Sequence, residues 1–281
     1  MNICDLGDIR LHWRQDGDPA GPAVVFSNPL GTDLRVWDKV IPLLPQGYRY
    51  IRYDMRGHGL SDCPPGPYAM GALVRDAERL LGALGVADCI FVGLSIGGMI
   101  GQGLAVKRPD LLRGLVLSNT ATKIGTPAMW QARIEAARAG GLEALADAVM
   151  ERWFSRDFRQ GPELAGWRNM LVRTPLEGYV GCCAAIAGTD FYTPTAGLRL
   201  PVLAIAGAAD GSTPPDLVRE TADLIPGAEF HLIRGAGHIP CVEAPGTFAA
   251  RLMQFMDRVG SRCGCGHDHG PGHHHHHGHD H

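Results

Sequence analysis

Cys89-Ile90-Phe91-Val92-Gly93-Leu94-Ser95-Ile96-Gly97-Gly98-Met99-Ile100-Gly101-Gln102 is the stretch whose reading decides the fold. Cys89 to Val92 is a short apolar run bounded by Asp88 and Gly93, as expected of a strand buried on both faces of a sheet. The residues after Gly97-Gly98 read as a helix that runs to about Val106 and is ended by Arg108-Pro109. Between them stands G-x-S-x-G. That pattern is needed where a strand turns sharply into a helix and the flanking positions have almost no room for a side chain. Such a turn exposes the Ser95 hydroxyl, and the helix N-terminus points its amides at any negative charge developing beside it. Ser95 is therefore the candidate nucleophile.

Working outward, the same alternation continues on both sides. Ala23-Val24-Val25-Phe26, Tyr50-Ile51-Arg52-Tyr53 and Leu115-Val116-Leu117 read as strands. Met70 to Leu84 has apolar residues at helical spacing (Leu73, Ala77, Leu80, Leu81, Leu84). From Pro127 to about Ile186 the chain is rich in Ala, Arg, Glu and Met and shows no strand pattern, so it reads as an inserted set of helices. The pattern then resumes with a strand at Val202 to Ala206, a helix near Asp216 to Leu224, a strand at Glu229 to Ile233 and a last helix at about Pro245 to Val259. The expected architecture is α/β, a mostly parallel central sheet with helices on both faces. Residues 1–126 and 190–260 form its core, residues 127–189 a helical cap insertion, and residues 261–281 a disordered tail.

Serine needs a base to take its proton. Four histidines precede the tail: His12, His58, His231 and His238. His12 and His231 fall in strand-like segments and His58 follows Arg56-Gly57. His238 stands on a glycine-rich loop after the last strand, Gly235-Ala236-Gly237, where parallel sheets assemble their sites. The base needs an acid to fix its tautomer. Asp210 follows the strand at Val202 to Ala206 and the turn Gly207-Ala208-Ala209. The chain order Ser95, Asp210, His238 is the one the serine elbow requires. The oxyanion hole is placed by analogy on the backbone N–H of Ile96 and an amide of the loop Ser27-Asn28-Pro29-Leu30-Gly31-Thr32. Pro29 has no N–H, so Leu30 is the donor.

Composition bounds the partners. In 281 residues, 45% are hydrophobic and 20% charged, and the net charge is -3 at pH 7. No Lys/Arg block suggests nucleic acid or an anionic membrane, and no apolar run reaches the ~18 residues of a membrane span. The segment from Met1 to Arg14 is too charged for a secretory signal, so the expected location is cytoplasmic and the expected partner a small molecule. The eight cysteines are scattered and read as buried free thiols. Nine of the thirteen histidines lie between Cys263 and His281, either a native metal-binding tail or added sequence. A metal-handling protein with an inert body is the rival reading from another class, and it leaves Ser95, Asp210 and His238 unexplained.

Several runs together resemble the 3-oxoadipate enol-lactone hydrolases, of the α/β-hydrolase superfamily. They are Ser27-Asn28-Pro29-Leu30-Gly31-Thr32-Asp33-Leu34 with Trp37, Arg52-Tyr53-Asp54-Met55-Arg56-Gly57-His58-Gly59-Leu60-Ser61, and the elbow through Gln102. Asn119-Thr120-Ala121, Ile124 to Pro127, Trp130 with Arg133, and Glu177 to Ile186 continue the likeness. It extends nearly to Val259. Pro29, where relatives have a small polar residue, and Ile96, where methionine is frequent, depart from it. The resemblance implies an α/β-hydrolase fold and the opening of 3-oxoadipate enol-lactone to 3-oxoadipate in aromatic catabolism, with neither metal nor organic cofactor. The substrate carries a carboxylate, for which Arg133 is the candidate partner, with Trp130 one turn away. Trp153 and His58 are lesser candidates, and Arg56 is expected in a structural ion pair. An esterase, a perhydrolase or a carbon-carbon bond hydrolase of the same fold is the alternative; the resemblance says nothing of oligomeric state.

Overall fold

A computed structural model describes residues 1–262, with side chains described through residue 260. The strands are β1 (Asn2–Asp5), β2 (Arg10–Gly17), β3 (Ala23–Ser27), β4 (Arg49–Tyr53), β5 (Cys89–Leu94), β6 (Leu112–Ser118), β7 (Val202–Gly207) and β8 (Glu229–Ile233). They form one sheet in the order β1-β2-β4-β3-β5-β6-β7-β8. From β4 to β8 every pairing is parallel, while β1 and β2 add an antiparallel hairpin to one edge. The sequence marks this region only as strand-like around His12. Both faces of the hairpin are partly solvated, so it lacks the continuous apolar run of the central strands.

The helices are α1 (Met70–Ala83), α2 (Ile96–Lys107), α3 (Pro127–Gly140), α4 (Glu143–Trp153), α5 (Arg156–Arg159), α6 (Leu164–Val172), α7 (Leu176–Ala187), α8 (Tyr192–Ala196), α9 (Pro215–Asp223), α10 (Pro240–Glu243) and α11 (Pro245–Arg262). Helices α3 to α8 lie in the chain between β6 and β7, where the sequence reads as an insertion without strands. The last helix continues beyond Val259 to Arg262, so residues 261 and 262 belong to α11 and not to the tail. The histidine-rich stretch 263–281, with its expected disorder and metal binding, lies outside the described residues.

β3, β5 and β7 are buried along their whole length, which is why they read as unbroken apolar runs. The chain passes from β3 to β4 on one side and then to β5 on the other. The carboxyl ends of β3 and β5, paired at Ser27 and Gly93, therefore flank a reversal of strand order. Loops leaving neighbouring strands diverge at such a point and open a crevice. The elbow serine and the loop after Ser27 both stand there.

The expectation of buried cysteines needs correction. Cys89, Cys182, Cys183 and Cys241 are buried free thiols, but Cys4 is only partly covered and Cys63 is exposed. Cys4 lies on the edge strand β1 and Cys63 in the loop before α1, where no second layer covers them. No helix among the described residues is long and apolar enough to cross a membrane.

Candidate active site

Strand β5 delivers Ser95 into a backbone conformation that non-glycine residues rarely adopt, φ 57° and ψ -117°. The strain is held from three directions. The Ser95 N–H donates to Ser118 O at 2.9 Å, the Thr120 hydroxyl donates to Ser95 O at 2.7 Å, and Gly98 and Met99 turn back onto the same carbonyl. The two glycines of the motif have a steric reason: a Cβ at Gly93 would collide with Gly97 O, and one at Gly97 with Ser27 O. Replacing either would push α2 away from the sheet.

His238 and Asp210 come together as expected. His238 Nδ1 lies 2.9 Å and 3.1 Å from the two carboxylate oxygens of Asp210, and both side chains are buried. Asp210 Oδ1 also accepts from the Ser212 and Thr213 N–H groups at 2.7 and 2.9 Å. Its Oδ2 accepts from Thr213 Oγ1 at 2.8 Å and Asn119 Nδ2 at 3.0 Å. Burial alone would raise this carboxyl's pKa, but the His238 charge and the donated hydrogen bonds outweigh it and hold the group below its usual range. An ionised carboxylate only accepts, so the proton on Nδ1 faces Asp210 and Nε2 is left as the basic nitrogen. Ser95 and His238 line the same cavity.

The loop after β3 is fixed by side chains that do not line the cavity of Ser95 and His238. Asn28 donates to Tyr53 O at 2.8 Å and accepts from Trp37 Nε1 at 2.7 Å; Thr32 donates to Pro29 O at 2.7 Å. Gly31 N–H donates to His58 Nε2 at 3.0 Å. His58 is fully buried, and burial pushes its pKa down to about 4, so it stays the neutral acceptor that Gly31 requires. His58 thus does not line the cavity but secures the neighbour of Leu30. Leu30 does line it, and Ile96, as the first residue of α2, has an N–H with no intrahelical acceptor.

Helices α3, α4 and α7 wall the other side. The cavity holds about 120 Å³, and Trp130, Arg133, Arg152, Trp153 and Tyr179 line it from these helices. That is small beside the roughly 300–1,000 Å³ of drug-sized pockets, and it suits a compact acyl group. The Arg133 guanidinium stacks on Trp130, 4.4 Å from the ring centroid, and Trp130 Nε1 donates to Ile124 O at 2.6 Å. The end of α4 touches the loops of both His238 and Asp210, because His238 N–H donates to Trp153 O at 2.8 Å and Gly211 N–H to Arg152 O at 3.2 Å. Arg56 lies elsewhere, paired bidentately with Asp76 at 2.6 and 2.9 Å.

A larger cavity, about 520 Å³, lies apart from this site, lined by His12, Asp33, Arg35, Asp54 and Arg173 among others. Its polar groups are largely committed to one another. Asp54 accepts from His12 Nδ1 at 2.8 Å and from the Leu34 and Leu60 N–H groups, and Arg35 pairs with Asp33. Ser95 and His238 line the smaller cavity and not this one.

Residues 22–245 match the family described as the alpha/beta hydrolase fold. The chain belongs to the α/β-hydrolase family. Among its relatives, 3-oxoadipate enol-lactonase 2 of Acinetobacter baylyi is 36% identical over 253 residues, covering 89% of this chain and 94% of that protein. The crystal structure of the enol-lactonase from Burkholderia xenovorans LB400 superposes with a TM-score of 0.88 at 38% identity, covering 91% of this chain and all of that one. A thermophilic esterase from Thermogutta terrifontis, solved with malate bound, matches with a TM-score of 0.83 at 28% identity over 89% of this chain and 94% of that one.

Four residues of this α/β-hydrolase site went unassigned in the sequence. Asn119, at φ 50°, ties Asp210 to Gly237 O, and the Thr213 hydroxyl reaches both Asp210 and His238 Nδ1. Arg152 enters the cavity beside Arg133. Glu243 accepts from Ser155 N and Oγ at 2.9 and 2.6 Å, and from Gly237 N–H, so it ties the inserted helices to the loop that carries His238. For Asn119 the available signal was its position at the end of a parallel strand beside β5; the others have no local signature.

Proposed function

We propose that the protein is a serine hydrolase that opens 3-oxoadipate enol-lactone to 3-oxoadipate through an acyl-enzyme, acting on a small soluble substrate in the cytoplasm. The observation that carries this reading is the strained Ser95 elbow sharing one small cavity with the His238–Asp210 pair and Arg133. The names of the 34–36% identical relatives support the choice of lactone.

Ser95 Oγ attacks the lactone carbonyl while His238 Nε2 takes its proton. The oxyanion is received by the Leu30 and Ile96 N–H groups, whose positions are set before substrate arrives. Collapse breaks the acyl carbon–oxygen bond of the ring, and the leaving oxygen departs as an enolate, which His238 protonates and which tautomerises to the ketone. Water, deprotonated by His238, then adds to the acyl carbon, and collapse breaks the acyl carbon–Oγ bond as His238 returns the proton to Ser95 Oγ. Asp210 stays ionised throughout, orienting the ring and stabilising the imidazolium. Arg133 holds the substrate carboxylate, with Trp130 supporting its guanidinium from below.

Purified protein is expected to consume the enol-lactone, followed as loss of its ultraviolet absorbance, and Ser95→Ala to abolish turnover. Hydrolysis of simple esters with no turnover of the lactone would reject the substrate and keep the mechanism. Arg133→Ala is expected to raise KM more than it lowers kcat, and unchanged kinetics would remove Arg133 from the site.

A further inference from the structure

Two arginines, Arg133 of α3 and Arg152 of α4, line the cavity that contains Ser95 and His238. Among the described residues no aspartate or glutamate lines that cavity, and neither arginine forms an ion pair. Elsewhere two well-covered arginines do meet acids: Arg52 pairs with Asp16 and Asp38, and Arg56 with Asp76. The one acid close to the chemistry, Asp210, lies behind His238 and is saturated by its own donors. Arg152 is held below its ordinary pKa, first by burial and then by the charge of Arg133. The two cations therefore repel one another beside the same cavity, an unfavourable arrangement that an anion between them would relieve.

We infer that Arg152 is a specificity-determining residue, and that Arg133 and Arg152 together hold a single carboxylate of the substrate. The inference rests on the carboxylate-bearing substrate proposed above and extends it to a second cation. One carboxylate has two oxygens and about four acceptor positions, enough for both guanidiniums, and a cavity of about 120 Å³ has little room for two separated anionic groups. The same pair works against neutral esters, which would cover two desolvated cations without offering them an acceptor. The Arg152 carbonyl also accepts from Gly211 N–H, which joins the segment carrying this cation to the loop that holds Asp210.

Binding to the inert Ser95→Ala protein tests this without lactone turnover, using the fluorescence of Trp130 and Trp153 on the cavity wall. Dimethyl adipate, monomethyl adipate and adipate form a series of equal chain length with zero, one and two negative charges. The monoanion is expected to bind about tenfold or more tighter than the neutral diester, as charge-assisted bidentate contacts imply. Adipate should gain only about the twofold that its two equivalent ends supply. Arg152→Met should reduce the monoanion preference to about threefold or less, with Arg152→Lys intermediate because a point charge replaces a fork. An unchanged preference in Arg152→Met would overturn the role of Arg152, and a second tenfold gain for adipate would overturn the single shared carboxylate. Should Arg152→Met not fold, Arg152→Lys and Arg152→Gln carry the same comparison. A retained charge preference in a protein that does not hydrolyse the lactone keeps the subsite and rejects the lactone; turnover of the lactone with no charge preference does the reverse.

Discussion

Replacing Asp210 by asparagine changes one atom and should nearly stop the enzyme. The Ser212 and Thr213 N–H groups both donate to Oδ1, so the amide oxygen of an asparagine is held on that side. Its NH2 then occupies the Oδ2 position, where it faces Asn119 Nδ2, Thr213 Oγ1 and His238 Nδ1. His238 can meet that donor only by giving up the Nδ1 proton. The proton moves to Nε2, and the nitrogen that should accept from Ser95 becomes a donor. The lost charge matters as much. A carboxylate 2.9 Å from the imidazolium, at an effective dielectric constant of about 20, stabilises it by about 6 kcal/mol. At about 1.36 kcal/mol per decade, this is on the order of 10⁴ in kcat. Turnover of the lactone, or of a neutral p-nitrophenyl ester, measures it, with circular dichroism to confirm folding. The double variant Asp210→Asn with His238→Ala should be no slower than His238→Ala alone, since the two residues act as a unit. A loss below about tenfold in the folded single variant would refute this account of the pair.

Three further perturbations probe the supports of the site. His58 is neutral in the fold with a pKa near 4, whereas the unfolded chain titrates it near 6.5, so the unfolded state binds the extra proton between those values. Its contribution is full above about pH 6.5 and is lost as pH falls toward 4, by roughly 3 kcal/mol; urea midpoints against pH should show this slope, and His58→Gln should flatten it. Gly97→Ala drives a methyl group into Ser27 O, and kcat should fall about 100-fold as Ile96 N–H is displaced, with a lower melting temperature; full activity at unchanged melting would contradict the packing. Glu243→Gln sets a donor against Gly237 N–H, and should lower stability by about 1–3 kcal/mol and kcat by about tenfold or more, read from urea unfolding and from turnover. Unaltered values for both would mean that Glu243 does not hold the His238 loop.

By itself the sequence determined the α/β architecture and the strand-to-helix elbow, and it named Ser95, Asp210 and His238, in that order, as the candidate site residues. Those features are local. A buried parallel strand has to be apolar along its length, a sharp elbow has to have glycines where a Cβ would collide, and loops that carry sites follow the strands. The edge hairpin of β1 and β2 was only partly legible because half-solvated strands carry a weaker pattern. The tertiary structure alone decided which arginine stands beside Arg133, why His58 is buried, and that Glu243 joins Ser155 to Gly237. These depend on contacts between residues 27, 88 and 6 positions apart, made across separate elements. Arg152 has no periodicity or motif to announce it, for the role proposed for it rests on a cavity that no acid lines among the described residues. For Ser95 the motif was enough to name a candidate; the pair of arginines proposed to select its substrate came only from the assembled cavity.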